Sequence, residues 1–97
     1  MSGVSQVYKI TFPNGKIYIG QDVTDTLRYF GSWNVDLVAA DLTPEQCRDL
    51  SLRKEILWES SSATRSEVTV KENELILQYE SNNPAVGYNR RPRYRAS

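Results

Sequence analysis

The feature that most constrains this chain is a pair of short strand-like runs around Pro13-Asn14-Gly15. Val7-Tyr8-Lys9-Ile10-Thr11-Phe12 precedes the turn and Lys16-Ile17-Tyr18-Ile19-Gly20 follows it. β-Branched and aromatic residues alternate on both sides, and Asn-Gly accepts the positive φ that a tight hairpin turn demands. The pattern predicts antiparallel strands over 6–12 and 16–20, with Gly20 suited to a sharp exit from the second.

The rest of the chain supplies elements to cover that hairpin. Residues 1–5 read as a loose leader. Asp22 or Thr24 can N-cap a short helix to Tyr29, ended by Phe30-Gly31-Ser32. Val35, Leu37, Val38 and Ala39 bunch within Trp33–Leu42 as a helix. Thr43-Pro44-Glu45-Gln46 combines a capping hydroxyl, a first-turn proline and a glutamine at the return position, which starts a short helix ending near Leu50. The alternation over Leu52–Glu59, with Ile56-Leu57-Trp58 at its centre, predicts a strand in the middle of a small sheet. Thr64-Arg65-Ser66-Glu67 is a second capping box, opening a long helix to about Glu80 that Asn82-Asn83-Pro84 stops. The order is strand, strand, helix, helix, strand, helix. Three strands cannot cover both of their own faces, so helices must pack on them. The 97 residues are enough for one modest core. The expected fold is a single α+β domain over 1–97, a mostly antiparallel three-stranded sheet flanked by helices, with a basic tail over 90–97.

Composition narrows the chemistry. Histidine is absent and Cys47 is the lone cysteine. Ser-His-Asp and Cys-His catalysis, His-ligated and Cys-rich metal sites and an internal disulfide are thereby excluded. Carboxylate, tyrosine, lysine and arginine remain. No apolar run is long enough to cross a bilayer, and no N-terminal stretch has the apolar heart of a signal peptide; a cytoplasmic protein without a membrane partner is expected. Formal net charge is zero. Arg90, Arg91, Arg93 and Arg95 nevertheless crowd the C-terminus with no acid among them, so the remainder is net acidic. With Tyr94 they make either a phosphate-binding arm or a solubilising tail.

The last helix carries an anomaly. Val68, Leu75, Ile76 and Tyr79 share one face, and Glu72 falls on that stripe, four residues from Val68 and four from Ile76. Glu74 points roughly 200° away at ~100° per residue. A carboxylate inside a core-facing stripe either snorkels to water from its edge or takes a partner or a metal.

Val7-Tyr8 and Tyr18-Ile19-Gly20 resemble the two half-motifs of the GIY-YIG nuclease family. The second matches to the letter, and the first keeps its tyrosine but reads Gln6-Val7-Tyr8. Further along, Arg28 stands where the family has an arginine on the helix after the hairpin. Glu72, Ile76, Tyr79 and Gly87-Tyr88-Asn89 follow in the family's order, so the resemblance spans Val7 to Asn89. Two departures stand beside it. Many members carry a histidine or second tyrosine soon after the arginine, where this chain has only Tyr29, and Phe30-Gly31-Ser32-Trp33 departs from the longer first helix of intron-encoded members.

The resemblance implies metal-dependent hydrolysis of DNA phosphodiesters. Glu72 would hold one divalent cation, Mg²⁺ first and Mn²⁺ as the alternative. Arg28 would contact non-bridging phosphate oxygens. Tyr8 would act as general base or water orienter, aided by positive charge from Lys16, and Tyr18 would position the water or a phosphate. Asn89 would hydrogen-bond in the site or tie the C-terminus to the hairpin, and Arg90, Arg91, Arg93 and Arg95 would add sequence-independent DNA affinity. Tyr8, Tyr18, Arg28 and Glu72 are expected on one concave surface of the sheet. DNA is the implied partner, with a partner protein as one source of specificity. Each residue also has a plainer reading: sheet packing for the tyrosines, a surface ion pair for Arg28, a solvated turn for Lys16. The alternative function is a catalytically weak or inactive module of the same fold that binds DNA or protein.

Overall fold

A computed structural model describes residues 4–22 and 35–95, with side chains over 4–22 and 38–95. The hairpin forms as its turn chemistry dictates. β1 (Ser5–Thr11) runs antiparallel to β2 (Ile17–Asp22), with Tyr8 opposite Gly20 and Ile10 opposite Tyr18. The Phe12 N–H donates to the Lys16 carbonyl and the Gly15 N–H to the Phe12 carbonyl, each at 2.9 Å. Gly15 takes φ 87°, the left-handed last position of a three-residue hairpin loop, where a side chain would be strained.

α1 (Val35–Asp41) and α2 (Pro44–Arg48) follow, then β3 (Arg53–Ser60) and α3 (Arg65–Tyr79). Both capping boxes are made. The Thr43 hydroxyl accepts from the Gln46 N–H at 3.1 Å, and Gln46 Oε1 accepts from the Thr43 N–H at 2.9 Å. Thr64 and Glu67 repeat the exchange at 3.2 and 2.8 Å. The class is the expected α+β, with an all-antiparallel sheet of order β2-β1-β3. Asp22 is the last residue of β2; the helix expected after it to Tyr29, with Arg28, lies outside the described residues, as does Trp33 at the expected start of the next helix.

One expectation is corrected. The strand holding Ile56-Leu57-Trp58 lies at an edge of the sheet, and β1 is the centre. The reason is two-sided burial. Val7 and Tyr8 are consecutive and both fully buried, in different cores. Val7 joins Ile19, Val68 and Ile76 beneath α3, while Tyr8 joins Ile10, Phe12, Tyr18, Val38, Leu42 and Tyr88 on the opposite face. Between Val7 and Tyr8 the β3 register jumps from Trp58 to Ile56. This bulge turns both Leu57 and Trp58 toward the α3 core.

After α3 the chain turns back on itself. Glu80 caps the helix in the left-handed conformation, and the following segment reaches the outer edge of β2. The Ile17 N–H donates to the Val86 carbonyl at 3.1 Å, and the Tyr88 N–H donates to the Ile17 carbonyl at 2.9 Å, a parallel bridge at Gly87. A Cβ at Gly87 would press on the Ile17 carbonyl oxygen and stand 2.6 Å from that of Ser81. Both obstacles are backbone. Gly87→Ala should therefore lower stability by about 1–3 kcal/mol, read as a fall in the urea midpoint with the slope unchanged.

Candidate functional site

Both strands of the hairpin and the C-terminal segment position Tyr8, Tyr18 and their neighbours. Tyr8 and Tyr18 project from the same face of the sheet and meet over Gly20. A Cβ there would lie 2.6 Å from Tyr8 Oη and 2.9 Å from Tyr18 Cε2, so only glycine leaves the two rings this space. Ile19 and Gln21 point to the other face, where α3 packs across β2 and β1.

Asn89 joins the C-terminal segment to this edge. Its Oδ1 accepts from the Ile19 N–H at 2.8 Å and its Nδ2 donates to the Ile19 carbonyl at 2.7 Å. The side-chain amide thus imitates one residue of an added strand, and its own N–H donates to the Ser81 carbonyl at 3.0 Å. The Asn82 amide holds the next turn by donating to the Pro92 carbonyl at 2.9 Å. Arg90 and Arg91, between these two ties, are exposed.

The outcome is a cleft of about 310 Å³ lined by Tyr18, Glu72, Asn73, Ile76, Asn89, Arg90 and Arg91. Glu72 is half-buried, as its place on the apolar stripe implies, and Glu74 is exposed. Gln21 Nε2 donates to Glu72 Oε1 and to Thr69 Oγ1, both at 3.3 Å. Burial pushes the Glu72 carboxyl above its ordinary range, and the hydrogen bonds from Gln21 oppose this. Among the described residues Glu72 makes no ion pair. An uncompensated, half-buried carboxylate with one oxygen on an amide suits a single hard cation that keeps most of its waters.

Several expected site residues lie elsewhere. Tyr8 lines no part of the cleft and is 0% exposed, with Lys54 Nζ 4.5 Å over its ring. A general base must reach the water it deprotonates, so this placement does not give Tyr8 that role. The cleft accordingly wraps the edge of β2, with Tyr18 from one face and Glu72 from the other, instead of occupying one concave face. Lys16 is also away from the cleft. Its ammonium pairs with Asp41, donates to the Pro84 carbonyl at 2.8 Å and lies 5.6 Å over the Tyr88 ring. Lys16 holds the Asp41 carboxyl below its ordinary range. The Tyr88 hydroxyl donates to Asp41 at 3.1 Å and accepts from Asn14 at 2.8 Å, so this group latches the hairpin tip to α1 and the C-terminal segment. The Asn89 amide pairs with both backbone groups of Ile19, so it ties the C-terminal segment to β2 while also lining the cleft. Arg93 and Arg95 are exposed beyond the cleft, and Arg28 lies outside the described residues.

Sequence reasoning missed Gln21 and Asn73. Gln21 follows Gly20, and strand alternation puts it on the α3 face with Ile19; that parity was the available signal. The chain matches no protein-family model, no curated protein and no solved structure.

The Glu72 environment has a consequence for stability. The unfolded chain releases this proton near the ordinary value of 4.5, whereas the folded chain holds it to higher pH. Between the two values the folded state binds more protons, so this group's contribution to stability falls as pH rises. Glu72→Gln should be more stable than the parent at pH ~7 and lose that advantage below pH ~4, measured by urea unfolding across pH.

Proposed function

We propose that this chain is a metal-dependent DNA endonuclease of the GIY-YIG type, hydrolysing phosphodiester bonds at the edge of β2. The observation that carries the reading is the meeting of Tyr18, Glu72, Arg90 and Arg91, from three distant segments, in one cleft. It joins an uncompensated carboxylate to two exposed guanidiniums, the charges that a cation and a phosphodiester require. Mg²⁺ or Mn²⁺ would be held by Glu72 and, when bound, would supply positive charge for the phosphate and the departing oxygen. Arg90 and Arg91 bind the non-bridging phosphate oxygens through their planar forks. Tyr18, 8% exposed, orients the attacking water or the phosphate with its hydroxyl. Asn89 keeps this edge of the sheet fixed, and Gln21 keeps the Glu72 carboxylate from turning.

A second reading is favoured by the full burial of Tyr8 and the engagement of Lys16 with Asp41. Without an exposed base, the chain would bind DNA in this cleft and cleave it weakly or not at all. A partner protein is one source of sequence specificity under either reading. With no helix among the described residues long and apolar enough to cross a membrane, a cytoplasmic setting fits the proposed substrate.

Conversion of supercoiled plasmid to nicked circles tests the enzyme reading. Nicking should require Mg²⁺, stop with chelator and fall about 100-fold or more in Glu72→Gln, since a bound metal supplies several kcal/mol of transition-state stabilisation. Undiminished nicking by that variant would reject the assignment, and tight binding without nicking by the parent would favour the second reading.

The arginines separate by position. Arg90→Ala and Arg91→Ala should each flatten the log–log salt dependence of DNA binding by about one unit, while Arg93→Ala and Arg95→Ala change it less. Binding titrations at several salt concentrations check this. Truncation after Asn89 would not isolate the arginines, because it removes the Pro92 carbonyl that the buried Asn82 amide donates to.

A further inference from the structure

The two edges of the sheet are treated differently. The outer edge of β2 is sheathed by the Ile17 bridge and the Asn89 amide. Along β3, among the described residues, no backbone group pairs with the outer side. That edge also carries exposed apolar surface. Ile56 is 42% exposed on one face. On the other, a groove of about 370 Å³ runs beside Trp58 and Val70, and Val70 is 65% exposed.

The charges on β3 select the partner. Lys54, Ile56 and Glu59 are registered against Ile10, Tyr8 and Gln6 of β1, so the bulge leaves all three on one face of the sheet. Lys54 and Glu59 stand one same-face position to either side of Ile56. Charged residues on an edge strand ordinarily deter pairing. These two have opposite signs placed symmetrically about an apolar centre, so an antiparallel copy of the same strand turns both into attractions. A slip of one same-face position would instead set a charge against Ile56.

We propose that β3 pairs antiparallel with β3 of a second copy of this chain, on a two-fold axis at Ile56, giving a six-stranded sheet across a homodimer. In that register Ile56 meets the partner's Ile56, Lys54 meets the partner's Glu59, and Glu59 meets the partner's Lys54. The interface is isologous, and closed by its own symmetry. This inference is independent of the nuclease reading.

A charge-swap cycle followed by sedimentation equilibrium tests it. The parent chain should show concentration-dependent association from 11.1 kDa to twice that mass. Glu59→Lys and Lys54→Glu should each weaken dimerisation about tenfold, since each single change sets like charges opposite one another twice. The double variant Lys54→Glu/Glu59→Lys should dimerise as the parent does. Far-UV circular dichroism of each variant confirms the fold. Lys54 packs over the Tyr8 ring, so Glu59→Lys, at an exposed site, carries the test if Lys54→Glu unfolds. A parent chain monomeric at every concentration overturns the proposal. So does a dimer unaffected by Glu59→Lys, or a folded double variant that stays monomeric.

Discussion

The pairing of the Asn89 amide with both backbone groups of Ile19 is the interaction on which the rest of the structure depends. It closes an otherwise open sheet edge without a strand. Two hydrogen bonds at a half-buried position contribute on the order of 1–3 kcal/mol together, a large share of the stability of a domain this size. Their position matters more than their sum. Together with the Gly87 bridge they bring the segment after α3 against β2, bury Tyr88, and leave Arg90 and Arg91 beside Tyr18 and Glu72. Without this tie the two arginines would be held only through the Gly87 bridge on one side and the Asn82–Pro92 hydrogen bond on the other.

The two ends of the hairpin then have opposite electrostatic character. At the tip, Lys16, Asp41, Tyr88 and Asn14 satisfy one another, and the local charge is balanced. At the base, Glu72 is half-buried against an amide, with no ion pair among the described residues, and guanidiniums share its cleft. Balanced groups serve to hold elements together; a carboxylate left uncompensated stays available to a cation. This contrast moves the functional reading from the Tyr8–Lys16 pair to the Tyr18–Glu72 edge.

Most elements were legible because their signals are local. Asn14-Gly15, the two capping boxes and the alternation of β1 each specify geometry within a few residues. Glu72 was legible as an apolar-stripe carboxylate, and a tie to the hairpin was one of the two roles open to Asn89. The position of β3 was not, because its apolar centre looks the same in a middle or an edge strand; only the simultaneous burial of Val7 and Tyr8 decides between them. The engagement of Lys16 with Asp41 was illegible for a similar reason. The proximity of Lys16 to Tyr18 in sequence is real, but the lysine's partner, Asp41, comes from a helix whose packing no local pattern reveals. The role of Gln21 likewise depends on α3 crossing β2.

The central claim is that the edge of β2 between Glu72 and Arg91 is the cation and phosphate site. Mn²⁺ titrated into ¹⁵N-labelled protein tests this directly through paramagnetic broadening of backbone amides. The account predicts broadening centred on Gln21, Glu72, Asn73 and Arg90, which Glu72→Gln abolishes. Broadening centred instead on the exposed Glu45 of α2 and its C-cap Asp49, or left intact by that substitution, would contradict it.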